Sequence, residues 1–256
     1  MVNALLVFLE TAFLFSVRFG MFIFFGFAAA GTWLFEFIKL DKLPEPAKMI
    51  VKIFFLGTLV TIPVFLAELG VAYGISKLSA PSLIIHILYW FVAIALIEEV
   101  FKYLVVRGSV LKSSEFDEPV DAMIYMIISA MGFAALENVL YLLPVSEKVL
   151  SLNTLFVSTA TIAFFRFIGA TFLHALCSGL IGYFLALSIY YKKNHLGILL
   201  AGIAIATFLH GLYNFSIMEA EGSIRIIIPA VILVGLAIFI FSAFKKLKKL
   251  KSICIT

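Results

Sequence analysis

Long, uninterrupted apolar runs make up most of this chain, and they restrict the solvent in which it can fold. Of its 256 residues, 64% are hydrophobic and only 13% are charged. A soluble domain carries about 45–50% apolar and about 25% charged residues, so one water-exposed fold could not bury this much apolar surface. The composition excludes disorder, a nucleic-acid-binding module and a disulfide-stapled secreted domain. Continuous rather than alternating runs also disfavour an outer-membrane barrel.

The predicted fold class is therefore all-α, a polytopic integral membrane protein with about seven transmembrane helices. The predicted spans are 19–38, 48–74, 82–108, 119–143, 156–190, 196–217 and 224–244. A lead at 3–17 either extends the first span or forms an extra N-terminal membrane helix. We expect residues 1–256 to form a single membrane-embedded domain, with a basic tail at 245–256.

Basic residues are shared unequally between the two sides of this arrangement. They concentrate in the breaks after the first, third, fifth and seventh spans, the last of which is the lysine-rich tail. Cytoplasmic loops carry the excess of Lys and Arg. We therefore expect a multi-pass protein of the cell membrane whose C-terminus is cytoplasmic, with its basic tail anchored on anionic lipid of the bilayer.

Ionisable residues inside the predicted spans point to a functional site, because each charge near mid-membrane costs about 2.5–3.5 kcal/mol. Seven of them are distributed over four spans: Glu98, Glu99, Lys102, Glu137, Arg166, His174 and His210. Lys102 follows the glutamate pair at i+3 and i+4, and Asn214 follows His210 at i+4. Such groups are tolerated where they pair or face a wet cavity, so we predict one shared polar site.

Two reaction types fit these residues. Adjacent carboxylates in a low dielectric resist joint ionisation, so that one can act as a base while another acts as an acid. We favour this metal-free mechanism, which needs no cofactor. The alternative is Zn²⁺ held by Glu98, His174 and His210, with a second glutamate as the base. No HExxH motif supports the metal alternative locally.

Several stretches resemble motifs of the PrsW family of intramembrane proteases, which is related to the CAAX prenyl protease superfamily. They are D-x-x-P-E-P at 41–46, E-E-x-x-K at 98–102, the stretch 116–138, Arg166 with His174, and H-G-L-Y-N at 210–214. Each motif is weak alone, but their order and spacing are specific. The wider superfamily has an arginine where this chain has Tyr103 and a phenylalanine where it has Ala170. These departures favour the PrsW branch over prenyl-protein processing.

The resemblance implies an intramembrane endopeptidase, of the glutamic or the metal-dependent type, that cleaves membrane-anchored proteins. It implies catalysis by Glu98, Glu99, Glu137, His174 and His210, with Lys102, Asn138, Arg166 and Asn214 in supporting roles. PrsW-like proteins are associated with site-1 cleavage of anti-sigma factors, so an anti-sigma-factor-like substrate is expected. The alternative function is a proton-coupled transporter that uses the same buried groups as a relay. A membrane scaffold is a third interpretation, and the oligomeric state stays open.

Overall fold

The computed structural model describes residues 2–41, 43, 45–144, 151–191 and 195–250, and for residues 2–15 it describes the backbone alone. Several basic residues used to predict the orientation lie outside this part: Lys42, Lys148, Lys192 and Lys193. Residues 251–256 of the predicted tail also lie outside the described residues.

All regular elements in the described part are helical. The α-helices are α1 Val2–Ile38, α2 Ala47–Ile75, α3 Ser82–Leu88, α4 Ile97–Ser109, α5 Asp121–Leu142, α6 Leu152–Arg166, α7 Phe172–Tyr191, α8 His195–Glu219 and α9 Ile224–Leu247. Two π-helical segments, Tyr89–Leu96 and Phe167–Thr171, join α3 to α4 and α6 to α7.

Within the described residues, seven helical stretches are long and apolar enough to cross a membrane, which confirms the predicted fold class and number of spans. Helix α1 is continuous from Val2 to Ile38, so the lead at 3–17 extends the first span and is not a separate helix. The fifth span begins at Leu152, earlier than predicted, and runs for 40 residues through the second π segment.

Both π segments directly precede residues of the predicted site. Tyr89–Leu96 ends two residues before Glu98, and Phe167–Thr171 ends three residues before His174. A π turn contains more than the usual 3.6 residues, so it rotates the helix that follows relative to the helix before it. The direction in which Glu98 and His174 point is therefore set partly by these segments.

Helix α5 is the central helix of the bundle, with 83% of its membrane window buried. It packs against α1, α2 and α7. The contact with α2 is very close: a Cβ atom on Gly132 would lie 1.9 Å from the Phe54 carbonyl oxygen, and one on Gly57 would lie 2.1 Å from that of Ser129. Small residues permit such backbone approach between membrane helices, and here they bring α2 against the helix that carries Glu137.

An acidic cluster lies at the N-terminus of α5, about 24 Å along the helix from Glu137. Carboxylate oxygens of Asp41, Glu45 and Asp121 lie within 4.8 Å of one another. Tyr125 donates a hydrogen bond to Glu45, while Asp121 accepts from the backbone nitrogen atoms of Asp117 and Glu118. Burial raises the pKa of the Glu45 carboxyl to about 8, and the charges of Asp121 and Asp41 act in the same direction. Two of the stretches that carry the family resemblance thus meet here, away from the predicted site.

Candidate active site

The first turn of α4 forms the centre of the polar cluster. The Lys102 Nζ atom donates to Glu99 Oε1 at 2.7 Å and to Glu98 Oε2 at 3.5 Å. Lys102 and Glu99 are fully buried, and Glu98 is only 3% exposed. Buried charges require partners, and here one ammonium group bridges two carboxylates of its own helix.

His174 connects this centre to α7. Its Nδ1 lies 3.0 Å from Lys102 Nζ, and its Nε2 lies 2.9 Å from Glu137 Oε2. An ammonium group can only donate and an ionised carboxylate can only accept. The neutral ring therefore carries its proton on Nε2 and keeps a lone pair on Nδ1, which lies 3.6 Å from Glu98 Oε2.

His210 of α8 has the opposite tautomer for the same reason. Its Nδ1 lies 2.9 Å from Glu99 Oε1, so Nδ1 carries the proton toward that carboxylate. Its Nε2 keeps a lone pair and lies 3.9 Å from Glu98 Oε2. The two imidazole rings meet edge to face, with centroids 5.1 Å apart. Glu98 consequently faces one unprotonated nitrogen atom from each histidine, and that of His174 also accepts from Lys102.

A second group of polar residues fixes Glu137 at the margin of the cluster. Arg166 donates from its Nη2 to Glu137 Oε2 and from its Nε to Asn138 Oδ1, both at 2.6 Å. Asn138 in turn donates to Thr171 at 3.0 Å. Glu137 Oε1 accepts no hydrogen bond from a described residue, so Glu137 keeps one oxygen atom available.

The Glu98, His174 and His210 side chains could hold a metal ion, since one ligand atom of each lies within 4.8 Å of the others. Ligand atoms of tetrahedral zinc lie about 3.4 Å apart, and the two imidazole nitrogen atoms lie 3.6 Å and 3.9 Å from Glu98 Oε2. Each ring also gives its other nitrogen to a carboxylate, as metal-binding histidines usually do. The three residues therefore fit a zinc ion in donor type and spacing, and the ion would displace the Lys102 ammonium group from His174 Nδ1.

A cavity of about 320 Å³ reaches the cluster from between α2, α5 and the helix formed by the first π segment and α4. Glu68, Glu98 and Glu137 line it, together with apolar and aromatic side chains. Glu99 and Lys102 do not line it and lie behind Glu98. Of the adjacent glutamates, Glu98 is thus the one that a substrate in this cavity would meet.

The cluster combines most, but not all, of the residues singled out in the sequence. Asn214, expected to support His210, is half-buried, and its side chain makes no hydrogen bond with a described residue. Ser178 was missed, although it donates to Glu99 Oε2 at 3.2 Å. Glu68 was also missed, and the signal was present: it is a carboxylate inside the predicted span 48–74.

Comparisons with known proteins agree on one family. The profile described as "PrsW family intramembrane metalloprotease" matches residues 45–243. Over 211 residues the chain is 29% identical to "Protease PrsW" of Oceanobacillus iheyensis, covering 81% of this chain and 88% of that protein. Over 187 residues it is 30% identical to "Protease PrsW" of Geobacillus kaustophilus, covering 72% and 74%. The same-named protein of Bacillus subtilis is 24% identical over 212 residues, covering 82% and 85%. No solved structure matches the chain.

Proposed function

The chain belongs to the PrsW family of intramembrane metalloproteases, and from this premise we propose that its buried Glu–His cluster hydrolyses peptide bonds of membrane-anchored proteins. The proposal rests on one observation: Glu98 meets an unprotonated nitrogen atom from each of two histidines at the inner end of a cavity. Membership of a protease family disfavours the proton-coupled transporter.

Glu98 Oε2, His174 Nδ1 and His210 Nε2 are the atoms that would hold a divalent ion such as Zn²⁺. An ion held there supplies Lewis acidity to the scissile carbonyl and to the attacking water. Glu137 and Glu99 hold the two imidazole rings from behind, which fixes their tautomers and orientation. The polar groups around the ligands are therefore already arranged before a substrate arrives.

Glu137 is the general base in this proposal. Its Oε2 is held by Arg166 and His174, whereas Oε1 has no described partner and the side chain lines the cavity. A carboxylate fixed in this way can accept a proton from the attacking water and return it to the leaving amine. Arg166 keeps that carboxylate oriented during both transfers.

Lys102 supports a metal-free alternative to this mechanism, and the pattern of adjacent carboxylates in the sequence favours it. Its ammonium group already occupies the Nδ1 lone pair of His174, for which a metal ion would compete. In that alternative, Glu98 itself takes the proton of the attacking water, and His174 or His210 stabilises the oxyanion. The two mechanisms share the same cluster and differ in their dependence on metal.

The finer assignments are part of the same proposal. Residues 1–256 form a single membrane-embedded protease domain with a cytoplasmic C-terminus, and the substrate is an anti-sigma-factor-like protein cut at site 1. The apolar setting requires a single-pass substrate to reach the cavity from within the bilayer, with its scissile segment unwound.

The decisive experiment reconstitutes the purified chain with a pool of single-pass membrane peptides and identifies new termini by mass spectrometry. We expect products from the native chain, loss of products in the Glu98→Gln and Glu137→Gln variants, and loss on chelation that zinc restores. Glu36→Gln, a change at an exposed carboxylate paired with Lys39, is the matched control and should remain active.

The amount of zinc bound by each variant distinguishes the residues that hold the metal from the residue that acts as the base. Glu98→Gln, His174→Ala and His210→Ala should lose bound zinc, whereas Glu137→Gln should retain it at saturating zinc and still lack turnover. Products that persist in both Glu98→Gln and Glu137→Gln would place the reaction elsewhere. Full activity of a metal-free sample would favour the Glu98 base mechanism instead.

A further inference from the structure

Glu68 is a membrane-embedded carboxylate that the proposed chemistry does not use. It lies on α2 about 10 Å from the helix end near residue 75, half-buried, in the wall of the cavity that leads to Glu98. Its side chain forms no hydrogen bond or ion pair with any residue that the structure describes. A carboxylate in this setting is costly. Because no described residue pairs with it, we look for its partner on the bound substrate.

The other carboxylates of the site all have positive or hydrogen-bonding partners. Glu99 is held by Lys102, His210 and Ser178. Glu137 is paired with Arg166 at 2.6 Å. Glu98 lies beside Lys102 and among the atoms that would hold a divalent ion. Glu68 differs from them, because no described cation lies within ion-pair distance of its carboxylate.

The charge of the cavity lining determines which sign of charge the binding partner must carry. Among the described residues the lining contains three carboxylates and no lysine, arginine or histidine. Arg166 lies against Glu137 and a divalent ion would lie at Glu98, but neither position is in contact with Glu68. A group entering beside it gains electrostatic stabilisation when that group is a cation.

Aromatic side chains in the same wall suit a long cationic side chain. Phe65, Tyr89, Phe133 and Tyr141 line the cavity with Glu68. Aromatic faces attract ammonium and guanidinium groups, and the methylene stems of Lys and Arg pack well on apolar surfaces. Basic residues are also common at membrane boundaries, where their charged ends extend toward water.

We propose that Glu68 binds a lysine or arginine side chain of the substrate, so that the enzyme selects peptide bonds close to a basic residue near the membrane boundary. The inference rests on the proposed function of the cluster and assigns its substrate preference. Glu68 is thereby a specificity determinant that contacts substrate, distinct from the groups that would hold metal or transfer protons.

The test uses the full chain in lipid nanodiscs and a cleaved single-pass peptide from the pool described above. Each position around the scissile bond is occupied in turn by Lys, Gln or Glu in otherwise identical peptides. At one position we expect Lys to raise kcat/KM over Gln by about tenfold or more, mostly through KM. Glu68→Gln should remove this difference while leaving cleavage of the Gln peptide nearly unchanged.

Charge reversal gives the sharper result: Glu68→Lys should prefer the Glu peptide at that same position. Glu68→Asp, which keeps the charge, should retain part of the preference for Lys, and Glu36→Gln should retain all of it. Equal cleavage of Lys and Gln peptides by the native chain would overturn the inference even if a variant failed to fold. An equal loss of kcat on every peptide in Glu68→Gln would overturn it too, in favour of a catalytic role. Absence of any cleavage by the native chain would instead refute the proposed function.

Discussion

The Nε2 atom of His174 lies 2.9 Å from Oε2 of Glu137, a carboxylate on a different helix. This contact fixes the tautomer of the ring and leaves Nδ1 directed toward Glu98 Oε2 at 3.6 Å. The ability of α7 to contribute to the site therefore depends on α5, and the dependence can be measured.

Replacing Glu137 by Gln should weaken zinc binding about 10–100-fold, the usual effect of losing a carboxylate behind a ligating histidine. The amide keeps the size of the side chain but no longer favours the Nε2 proton as strongly. Calorimetric titration with zinc gives the affinity, and Glu36→Gln is the control. Unchanged zinc affinity would show that the histidine is oriented without Glu137.

Replacing Lys102 by Met should destabilise the protein by about 3–5 kcal/mol, because Glu99 would remain as a buried carboxylate without its cation. The native contact measures 2.7 Å, and both side chains are fully buried. Reversible unfolding in mixed micelles measures the loss. The double variant Lys102→Met/Glu99→Gln should recover much of it, and strictly additive losses would mean that the pair is not coupled.

Replacing Gly57 by Ala should destabilise the α2–α5 contact by about 1–3 kcal/mol, since the new methyl group would meet the Ser129 carbonyl oxygen. Gly70 lies on the same helix with nothing within 4 Å of an added Cβ. Gly70→Ala should therefore be neutral or slightly stabilising, because alanine is the better helix former. The comparison requires only thermal unfolding of the two variants, and equal behaviour would contradict the close packing.

Stability should fall as the pH rises through the range from about 4.5 to 8, with a contribution from Glu45. Burial raises the pKa of this carboxyl in the folded protein, so the folded state binds the proton more tightly than the unfolded state does. The contribution is complete below the unfolded pKa and is lost as the pH passes the folded pKa. Asp41, Asp121 and Tyr125 face the same group.

Thermal unfolding between pH 5 and pH 9 checks this expectation. Glu45→Gln cannot titrate and should give a flatter profile than the native chain. A profile of the variant that is as steep as that of the native chain would assign the pH dependence to other groups.

The sequence contains enough information to predict the fold because span length and apolar composition are one-dimensional properties. The seven spans follow from them, and the costly charges identify Glu98, Glu137, His174 and His210 as residues of interest. The contacts of Lys102 with Glu98 and Glu99 follow from their i+3 and i+4 spacing. Partners on other helices could not be predicted, because tautomers and hydrogen bonds between helices depend on how four helices are rotated. Asn214 illustrates the limit: its i+4 spacing from His210 is suggestive, yet the structure gives it no described hydrogen bond.

Glu68 was missed for a related reason. It has no ionisable neighbour at i+3 or i+4 on its own helix, so helical spacing alone does not connect it to the cluster. Only the packing of α2 against α5, through Gly57 and Gly132, brings it to the same cavity as Glu137.

The π segments Tyr89–Leu96 and Phe167–Thr171 restrict how the sequence of such a protein can evolve. Deleting one residue from either segment would turn the helix beyond it by about 100°, carrying Glu98 or His174 away from the cluster. Substitutions there alter only local packing, whereas insertions and deletions alter which side of the helix reacts. These two segments should therefore accept many different apolar residues in the course of divergence but very few changes in their number.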